Sequence, residues 1–175
     1  DTVVQKATEL GVHRIQPVSS ERTGVRLDAT RLEKKRGHWE RVATSACEQC
    51  GRNRIPRIDE TLALADYLAG SGDVAADALR LILHPDDPTD KPDEAAAPLP
   101  ERPVDVVLLV GPEGGFSDGE VAAAKAAGFR PLQLGPRVLR TETAPLAALA
   151  AVQLRWGDFS FGARDRARHL QPFSA

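Results

Sequence analysis

Residues 104–147, VDVVLLVGPEGGFSDGEVAAAKAAGFRPLQLGPRVLRTETAPLA, contain the stretch that decides the fold. They begin with a nearly unbroken apolar run over residues 104–110, which is typical of a strand covered on both faces in a parallel sheet. A glycine-rich turn over residues 111–115 ends this run. Ser117 then stands three residues before Glu120, the capping-box spacing that begins a helix. The pattern predicts strand, glycine turn and helix.

A second turn of similar design follows in the same stretch. The sequence predicts a short strand over residues 132–134, a loop that starts with Gly135-Pro136, and an alanine-rich helix that Thr143 caps and Gly157 ends. Ligands usually bind in open α/β sheets at loops that leave the carboxyl ends of strands. We therefore expect a ligand site between the two loops, with the alanine-rich helix buried against the sheet or another subunit.

The remaining periodicity predicts further helices and strands, which together indicate an α/β fold with a parallel sheet flanked by helices. A first helix capped by Asp1 places Val3, Val4, Ala7 and Leu10 on one face and stops at Gly11. Strands are predicted at residues 12–18, 55–58 and 79–83, a surface loop at 19–30, and helices at 31–50 and 61–68. The apolar stripe of the 31–50 helix comprises Trp39, Val42, Ala43, Ala46, Cys47 and Cys50, and Gly51 is its stop signal.

Length and composition predict one domain. The chain has 175 residues and 42% hydrophobic content, enough for one core. No apolar run approaches the roughly 20 residues that cross a bilayer, and nothing at the start is typical of a signal peptide, so we expect a soluble, cytoplasmic protein without a membrane partner. The chain has no Met and opens on a predicted helix, and we expect it to be a fragment. Residues 86–103, with five prolines, are predicted to be a mobile acidic loop, and residues 158–175 a flexible tail.

Charge is distributed unevenly along the chain. The net charge is −2, but residues 1–57 carry twelve Lys or Arg against seven Asp or Glu, whereas residues 86–105 carry two against seven. Clustered basic charge is the usual footprint of phosphate binding, and a solvated surface explains such clusters equally well. Charge alone leaves both interpretations open.

Cys47-Glu48-Gln49-Cys50 forms a CxxC pair, a pattern that can bind zinc or cycle as a disulfide. A structural zinc site needs four ligands, and the chain has no other cysteine and no histidine at the customary spacing. Both sulfurs fall on the apolar stripe of a predicted helix. The pattern favours two small core residues, and no metal site is predicted.

The 111–115 turn matches neither common nucleotide motif. It lacks the GK[ST] ending of a P-loop and does not follow GxGxxG. Its glycines allow the backbone to approach a flat ligand closely, although a purely structural turn remains an alternative.

Four motifs in order carry a family resemblance: QKATELGV at 5–12, SACEQCGR at 45–52, LLVGPEGGFS at 108–117 and LGPRVLRTETA at 134–144. Together they resemble the bacterial family, within the SPOUT methyltransferases, that methylates N3 of a uridine in 16S ribosomal RNA of the small subunit. The resemblance implies a methyltransferase domain over residues 1–157 with a carboxyl-terminal trefoil knot, S-adenosyl-L-methionine as methyl donor, and a homodimer. Members of that family normally carry an amino-terminal β-barrel that helps to bind RNA, and we expect this chain to be the catalytic domain without it.

The resemblance also implies a donor site built from three loops: the turn after Leu83, the 111–115 turn and the 134–144 loop. Their backbone would hold the adenine edge, and Leu134, Val138 and Leu139 would form apolar walls. The donor-binding residues implied are Leu83, His84, Gly111, Pro112, Glu113, Gly114, Gly115, Leu134, Gly135, Val138, Leu139, Arg140, Thr143 and Ala144.

Methylation at uridine N3 requires loss of a proton and stabilisation of the negative charge on the uracil oxygens. Arg140 is the leading candidate for charge stabilisation, followed by Arg52 and Gln49. Glu113 or Glu142 is a candidate proton acceptor, with a role in holding loop shape as the favoured alternative. The candidate RNA contacts are Arg22, Arg36, Arg41 and Arg52.

Two other functions compete with this interpretation. One is a non-catalytic RNA-binding module that retains the fold, for which two intact glycine-containing loops would be superfluous. The other is a nucleotide hydrolase, which the missing phosphate loop disfavours.

Overall fold

The computed structural model describes residues 1–23, 28–71, 74–84 and 98–160. Their helices are α1 Thr2–Glu9, α2 Ala29–Cys50, α3 Leu64–Asp66, α4 Asp118–Ala126 and α5 Ala144–Trp156. Their strands are β1 Arg14–Ile15, β2 Val18–Ser19, β3 Arg57–Ile58, β4 Leu62–Ala63, β5 Leu79–Leu83, β6 Val106–Val110 and β7 Arg130–Pro131. A search of these residues finds no helix with the length and apolar character that a membrane span requires.

Every strand pairing in the described residues is parallel. The largest sheet has the order β6-β5-β7, and the pairs β1-β3 and β2-β4 form two short sheets. Since parallel strands need crossover connections, the chain passes from β6 through α4 before it pairs β7 with the far side of β5. The predicted α/β architecture, a parallel sheet flanked by helices, is confirmed.

The main hydrophobic core surrounds β5 and β6. Ile82 of β5 is fully buried and packs in one cluster with Leu109 of β6 and with Phe116, which follows the glycine turn. The cluster also contains Leu64, Val121, Ala124 and Phe129. Tyr67 packs against it, and burial raises the pKa of its phenol, which is therefore neutral at physiological pH.

A second core joins the two amino-terminal helices. Val4 of α1, Ala43 of α2 and Ile58 of β3 form this cluster, with Trp39 and Val42 packed against it. The predicted stripe of α2 therefore faces α1 as the helical period requires. Gly51 ends α2 with φ of 76°, the left-handed conformation that glycine adopts without penalty, as its position predicts.

The capping box at α4 is confirmed. The hydroxyl of Ser117 accepts from the Glu120 amide at 3.2 Å, and the Glu120 carboxylate accepts from the Ser117 amide at 2.9 Å. The helix therefore begins where the chain leaves the glycine turn, which fixes the position of the turn relative to the sheet.

Several predicted strand boundaries are wrong. The strand predicted at 132–134 is β7, two residues earlier, where Pro131 is tolerated because β7 is an edge strand. The strand predicted at 104–110 begins at Val106, because Val104 is 76% exposed and makes no core contact. The predicted strand at 12–18 is divided into β1 and β2 by residues 16–17, which include a proline. The predicted strand at 55–58 shrinks to β3, and β5 matches its prediction.

Some helix predictions also fail. The predicted 61–68 helix is divided into β4, the short α3 and a wide turn at Tyr67–Ser71, because Leu62 pairs with Val18. The side chain of Asp1 does not cap α1 and contacts His38 instead at 2.9 Å. Thr143 occupies the cap position of α5 without a side-chain hydrogen bond. Helix α2 begins at Ala29, before the predicted residue 31, because Asp28 caps it.

The two cysteines do not share one environment. Cys47 is buried in the core, whereas Cys50 is exposed, so the prediction that both are core residues is wrong for Cys50. Cys50 lies in the last turn of α2. Within the part of the chain that the structure describes, no group of three or more His, Cys, Asp or Glu side chains is arranged to hold a metal ion.

Parts of three predictions lie outside the described residues. They are residues 24–27 of the predicted 19–30 loop, residues 86–97 of the predicted mobile loop, and residues 161–175 of the predicted tail.

Candidate functional site

The carboxyl ends of β5, β6 and β7 lie along one edge of the sheet. Leu83, the last residue of β5, pairs with Val110, the last residue of β6. The amide of Leu132, just beyond β7, donates to the carbonyl of Ile82 at 2.9 Å. Three chain segments therefore leave the sheet side by side: the segment at His84, the 111–115 turn and the 132–143 loop.

A cleft of about 170 Å³ opens at this edge. It is lined by Leu83, His84, Leu132, Gln133, Leu134, Gly135, Pro136, Arg137, Val138, Leu139 and Ala144. The structure thus brings together the predicted donor-binding residues of the β5 end and of the 134–144 loop. None of the predicted residues 111–115, Arg140 and Thr143 lines the cleft. Arg140 and Thr143 adjoin lining residues in sequence, and residues 111–115 follow the end of β6 at the same sheet edge.

The cleft combines apolar walls with one unsatisfied polar atom. Leu83, Leu134 and Leu139 supply apolar surface. Nδ1 of His84 is buried and has no hydrogen-bond partner among the described residues. A buried polar atom without a hydrogen-bond partner costs about 1–3 kcal/mol of stability. Such atoms are therefore rare in protein interiors. Flat apolar surfaces beside a few fixed polar groups are typical of a small-molecule site.

The 111–115 turn is held by its own backbone. The amide of Gly115 donates to the Pro112 carbonyl at 2.8 Å, and Gly115 has φ of 67°, which glycine adopts readily. A Cβ atom at Gly111 would lie 3.1 Å from the ring of Phe116, so the side chain of a larger residue has no space there. At Gly114 the neighbouring side chain is that of Arg22.

Arg140 and Glu142 lie in the segment that leads into α5. The Arg140 side chain is 85% exposed, with Nη1 at 3.9 Å from the Glu142 carboxylate. Its backbone carbonyl accepts from the amides of Thr143 and Ala144, both at 2.9 Å. The guanidinium is therefore exposed, with a weak surface ion pair to Glu142, and Arg140 directly follows the cleft residue Leu139 in sequence.

Arg52 has a clear structural contact. Its Nη1 donates to the carbonyls of Thr8 at 2.6 Å and Val12 at 2.9 Å, which ties the end of α2 to the connection between α1 and β1. Gln49 is exposed one turn earlier on α2. Neither residue lines the cleft beside the sheet edge.

The other predicted RNA contacts occupy different surfaces. Arg41 is exposed on α2, whereas Arg22 donates from Nη1 to the carbonyl of Gly114 at 2.8 Å. Arg36 donates to Glu33 at 2.8 Å, and that hydrogen bond is the main reason that the pKa of Arg36 is raised. Arg36 helps to line a second cleft, of about 320 Å³, with Arg14, Gln16, Arg57, Ile58, Asp59, Glu60 and Leu62.

Sequence reasoning missed four residues of the first cleft: Leu132, Gln133, Pro136 and Arg137. For Pro136 and Arg137, the sequence signal is their position inside the predicted 134–144 loop. Leu132 and Gln133 lie in the predicted strand, but β7 ends at Pro131, so the loop starts at Leu132, three residues before the predicted Gly135.

Comparison with known proteins places this chain in a family. The family model described as "RNA methyltransferase domain" matches residues 1–153. Ribosomal RNA small subunit methyltransferase E of Buchnera aphidicola is 39% identical over 157 residues, covering 90% of this chain and 61% of the relative. The Bacillus subtilis protein of the same name is 35% identical over 152 residues, covering 86% and 59%.

A solved structure agrees with the sequence relatives. Ribosomal RNA small subunit methyltransferase E of Neisseria gonorrhoeae, bound to S-adenosyl methionine, superposes with a TM-score of 0.78 at 41% identity, covering 90% of this chain and 62% of the other. The chain spans about three fifths of the length of the relatives that it matches. The chain belongs to the RNA methyltransferase domain family, and its relatives there are the ribosomal RNA small subunit methyltransferases E.

Proposed function

We propose that this chain is the methyltransferase domain of an enzyme that methylates N3 of a uridine in 16S ribosomal RNA, with S-adenosyl-L-methionine as donor. The observation that carries the proposal is the cleft at the ends of β5 and β7, with its apolar walls and the unpartnered Nδ1 of His84. The Neisseria relative, which is bound to S-adenosyl methionine, supports the identity of the donor.

The residues present fit this donor. A purine base needs flat apolar walls, which Leu134, Val138 and Leu139 supply, and a fixed polar contact, which His84 supplies. We propose that the 111–115 turn, including Pro112, Glu113 and Gly114, closes the site beside the cleft, and that Thr143 completes it next to Ala144. When bound, S-adenosylmethionine supplies a methyl group already activated on a sulfonium. The task of the chain is therefore to orient the reactants.

We propose that the side chain of Arg140 stabilises the negative charge on the uracil oxygens. Its guanidinium is exposed and weakly held, and Arg140 follows the cleft residue Leu139 in sequence, so a uracil oxygen can replace Glu142 as its partner. Glu142 or Glu113 accepts the N3 proton directly or through water, or holds its loop in shape. Arg52 and Gln49 remain secondary candidates, and the hydrogen bonds of Arg52 to Thr8 and Val12 favour a structural role.

We propose that RNA binds along the basic amino-terminal part of the chain, with Arg36, Arg41 and Arg52 among its contacts. Arg22, the fourth predicted contact, is left out because its guanidinium donates to the Gly114 carbonyl. Lys and Arg outnumber Asp and Glu there by twelve to seven over residues 1–57. The substrate is the small ribosomal subunit, which places the reaction in the cytoplasm.

The finer architecture is part of the same proposal. Residues 1–157 form the domain, the carboxyl-terminal end of the domain forms a trefoil knot, and two copies associate through α5. Support for the dimer comes from the apolar side chains of α5: Leu146, Leu149 and Val152 are only half-buried, and Leu154 is 43% exposed. Apolar side chains that stay partly accessible along one helix favour an interface.

The test is donor binding followed by methyl transfer. Calorimetry measures the affinity of the chain for S-adenosylmethionine. Labelled donor is then supplied with small subunits that lack the modification, and the product nucleoside is identified by mass spectrometry, with a longer relative as positive control. We expect a micromolar dissociation constant and 3-methyluridine. RNA binding without donor binding would instead identify a non-catalytic RNA-binding module.

A further inference from the structure

The segment after β2 is attached directly to the connection between β6 and α4. The amide of Glu21 donates to the Glu120 carboxylate at 2.8 Å, and Nη1 of Arg22 donates to the Gly114 carbonyl at 2.8 Å. These contacts join residues more than ninety positions apart. Glu21 and Arg22 are therefore hydrogen-bonded to two successive segments: Arg22 to the 111–115 turn and Glu21 to the first turn of α4.

Glu120 forms the inner half of this attachment. It is buried, and each of its carboxylate oxygens accepts one backbone amide, Oε1 from Glu21 and Oε2 from Ser117. Charge-assisted hydrogen bonds of this kind are stronger than neutral ones, and a buried carboxylate depends on them. The position of residues 20–22 is consequently fixed relative to α4.

Arg22 forms the outer half. Its Cβ and Cδ atoms lie 3.4 Å and 3.6 Å from the point where a Cβ of Gly114 would stand, so its stem covers that face of the turn. Its guanidinium donates to the carbonyl of the same glycine. The turn is thus held from within by the hydrogen bond between Gly115 and Pro112, and from outside by Arg22.

We propose that Arg22 is a positioning residue for the 111–115 turn, and that it sets the affinity for the methyl donor without binding RNA phosphate. The proposal rests on the proposed function. Its physical reason is that the turn starts one residue after Val110, which pairs with the cleft residue Leu83. Movement of the Gly114 carbonyl therefore alters the edge of the donor site.

Calorimetry with S-adenosylmethionine, in the absence of RNA, tests the proposal. Arg22→Ala should weaken donor binding about fivefold, because a charge-assisted hydrogen bond to an exposed carbonyl is lost. Arg22→Lys should bind with intermediate affinity, since an ammonium can donate to the same carbonyl. The matched control is Arg31→Ala, an exposed arginine of the same basic part whose partner is Asp28, and it should stay within twofold of the wild type.

Steady-state kinetics and RNA affinity provide the second readout. Arg22→Ala should raise KM for the donor and leave kcat at saturating donor and the Kd for RNA within twofold of wild type. An unchanged donor affinity, with weakened RNA binding, would overturn the proposal and identify Arg22 as a phosphate contact. A lysine variant that is folded but binds no better than the alanine variant would overturn it as well. Wild-type protein that binds no donor would overturn the proposed function itself.

Discussion

Replacement of Gly111 by alanine should destabilise the fold through one identifiable clash. A Cβ atom at this position would stand 3.1, 3.2 and 3.4 Å from three carbons of the Phe116 ring. Carbon atoms prefer about 3.5–4.0 Å, so the ring has to move by several tenths of an ångström. Phe116 is only 3% exposed and belongs to the main core, which leaves it little freedom.

The expected magnitude follows from two opposing effects. Overpacking a well-packed core costs about 1–3 kcal/mol, whereas replacing glycine by alanine restricts the unfolded chain and stabilises by about 0.4–1 kcal/mol. The clash outweighs the entropy gain. We expect Gly111→Ala to lower the free energy of unfolding by about 1–2 kcal/mol, or about 3–6 °C in Tm for a chain of this size.

Urea unfolding followed by circular dichroism measures this effect, and Gly114→Ala is the matched control. A Cβ at Gly114 would meet only the flexible side chain of Arg22 at 3.4 Å, so stability should change by less than about 0.5 kcal/mol. In a double-mutant cycle, Gly111→Ala combined with Phe116→Leu should be less destabilising than the sum of the two single changes, with a favourable coupling of about 1 kcal/mol, because the smaller side chain relieves the clash. Equal stability of the Gly111→Ala and Gly114→Ala variants would refute the steric argument.

Three further predictions concern catalysis, local structure and assembly. Arg140→Ala should reduce methyl transfer at least a hundredfold while donor affinity in calorimetry changes less than twofold, because its exposed guanidinium serves the reacting base; near-normal turnover would exclude that role. Arg52→Ala should cost about 2–3 kcal/mol of stability in urea unfolding, since it removes both hydrogen bonds that the guanidinium donates, to the carbonyls of Thr8 and Val12; a folded variant of unchanged stability would contradict this. Leu154→Glu should convert a dimer to a monomer in light scattering, and a wild-type chain that is monomeric at micromolar concentration would reject the α5 interface.

Local patterns in the sequence predicted the elements that depend on local chemistry. The apolar run of β5, the capping box of Ser117 and Glu120, and the glycine stop of α2 all depend on residues within a few positions of each other. The failure of the predicted 61–68 helix occurs where a distant partner decides. Leu62 is a strand residue because Val18 pairs with it, and Cys50 is exposed although it shares the helical stripe of Cys47. Propensity cannot report such pairings, since the partner lies more than forty positions away.

The same distinction explains what sequence reasoning missed at the candidate site. The sequence identifies both loops because glycine and proline mark them, but it does not distinguish between the glycines of the 111–115 turn. In the structure, a side chain is sterically excluded at Gly111, because the Phe116 ring packs against that position. At Gly114 the neighbour is Arg22, whose guanidinium donates to the Gly114 carbonyl. An arginine in a basic segment is indistinguishable by composition from a phosphate ligand. Only its hydrogen bond to a carbonyl 92 positions away marks it as a part of the turn, and the donor affinity of the Arg22 variants decides between the two roles.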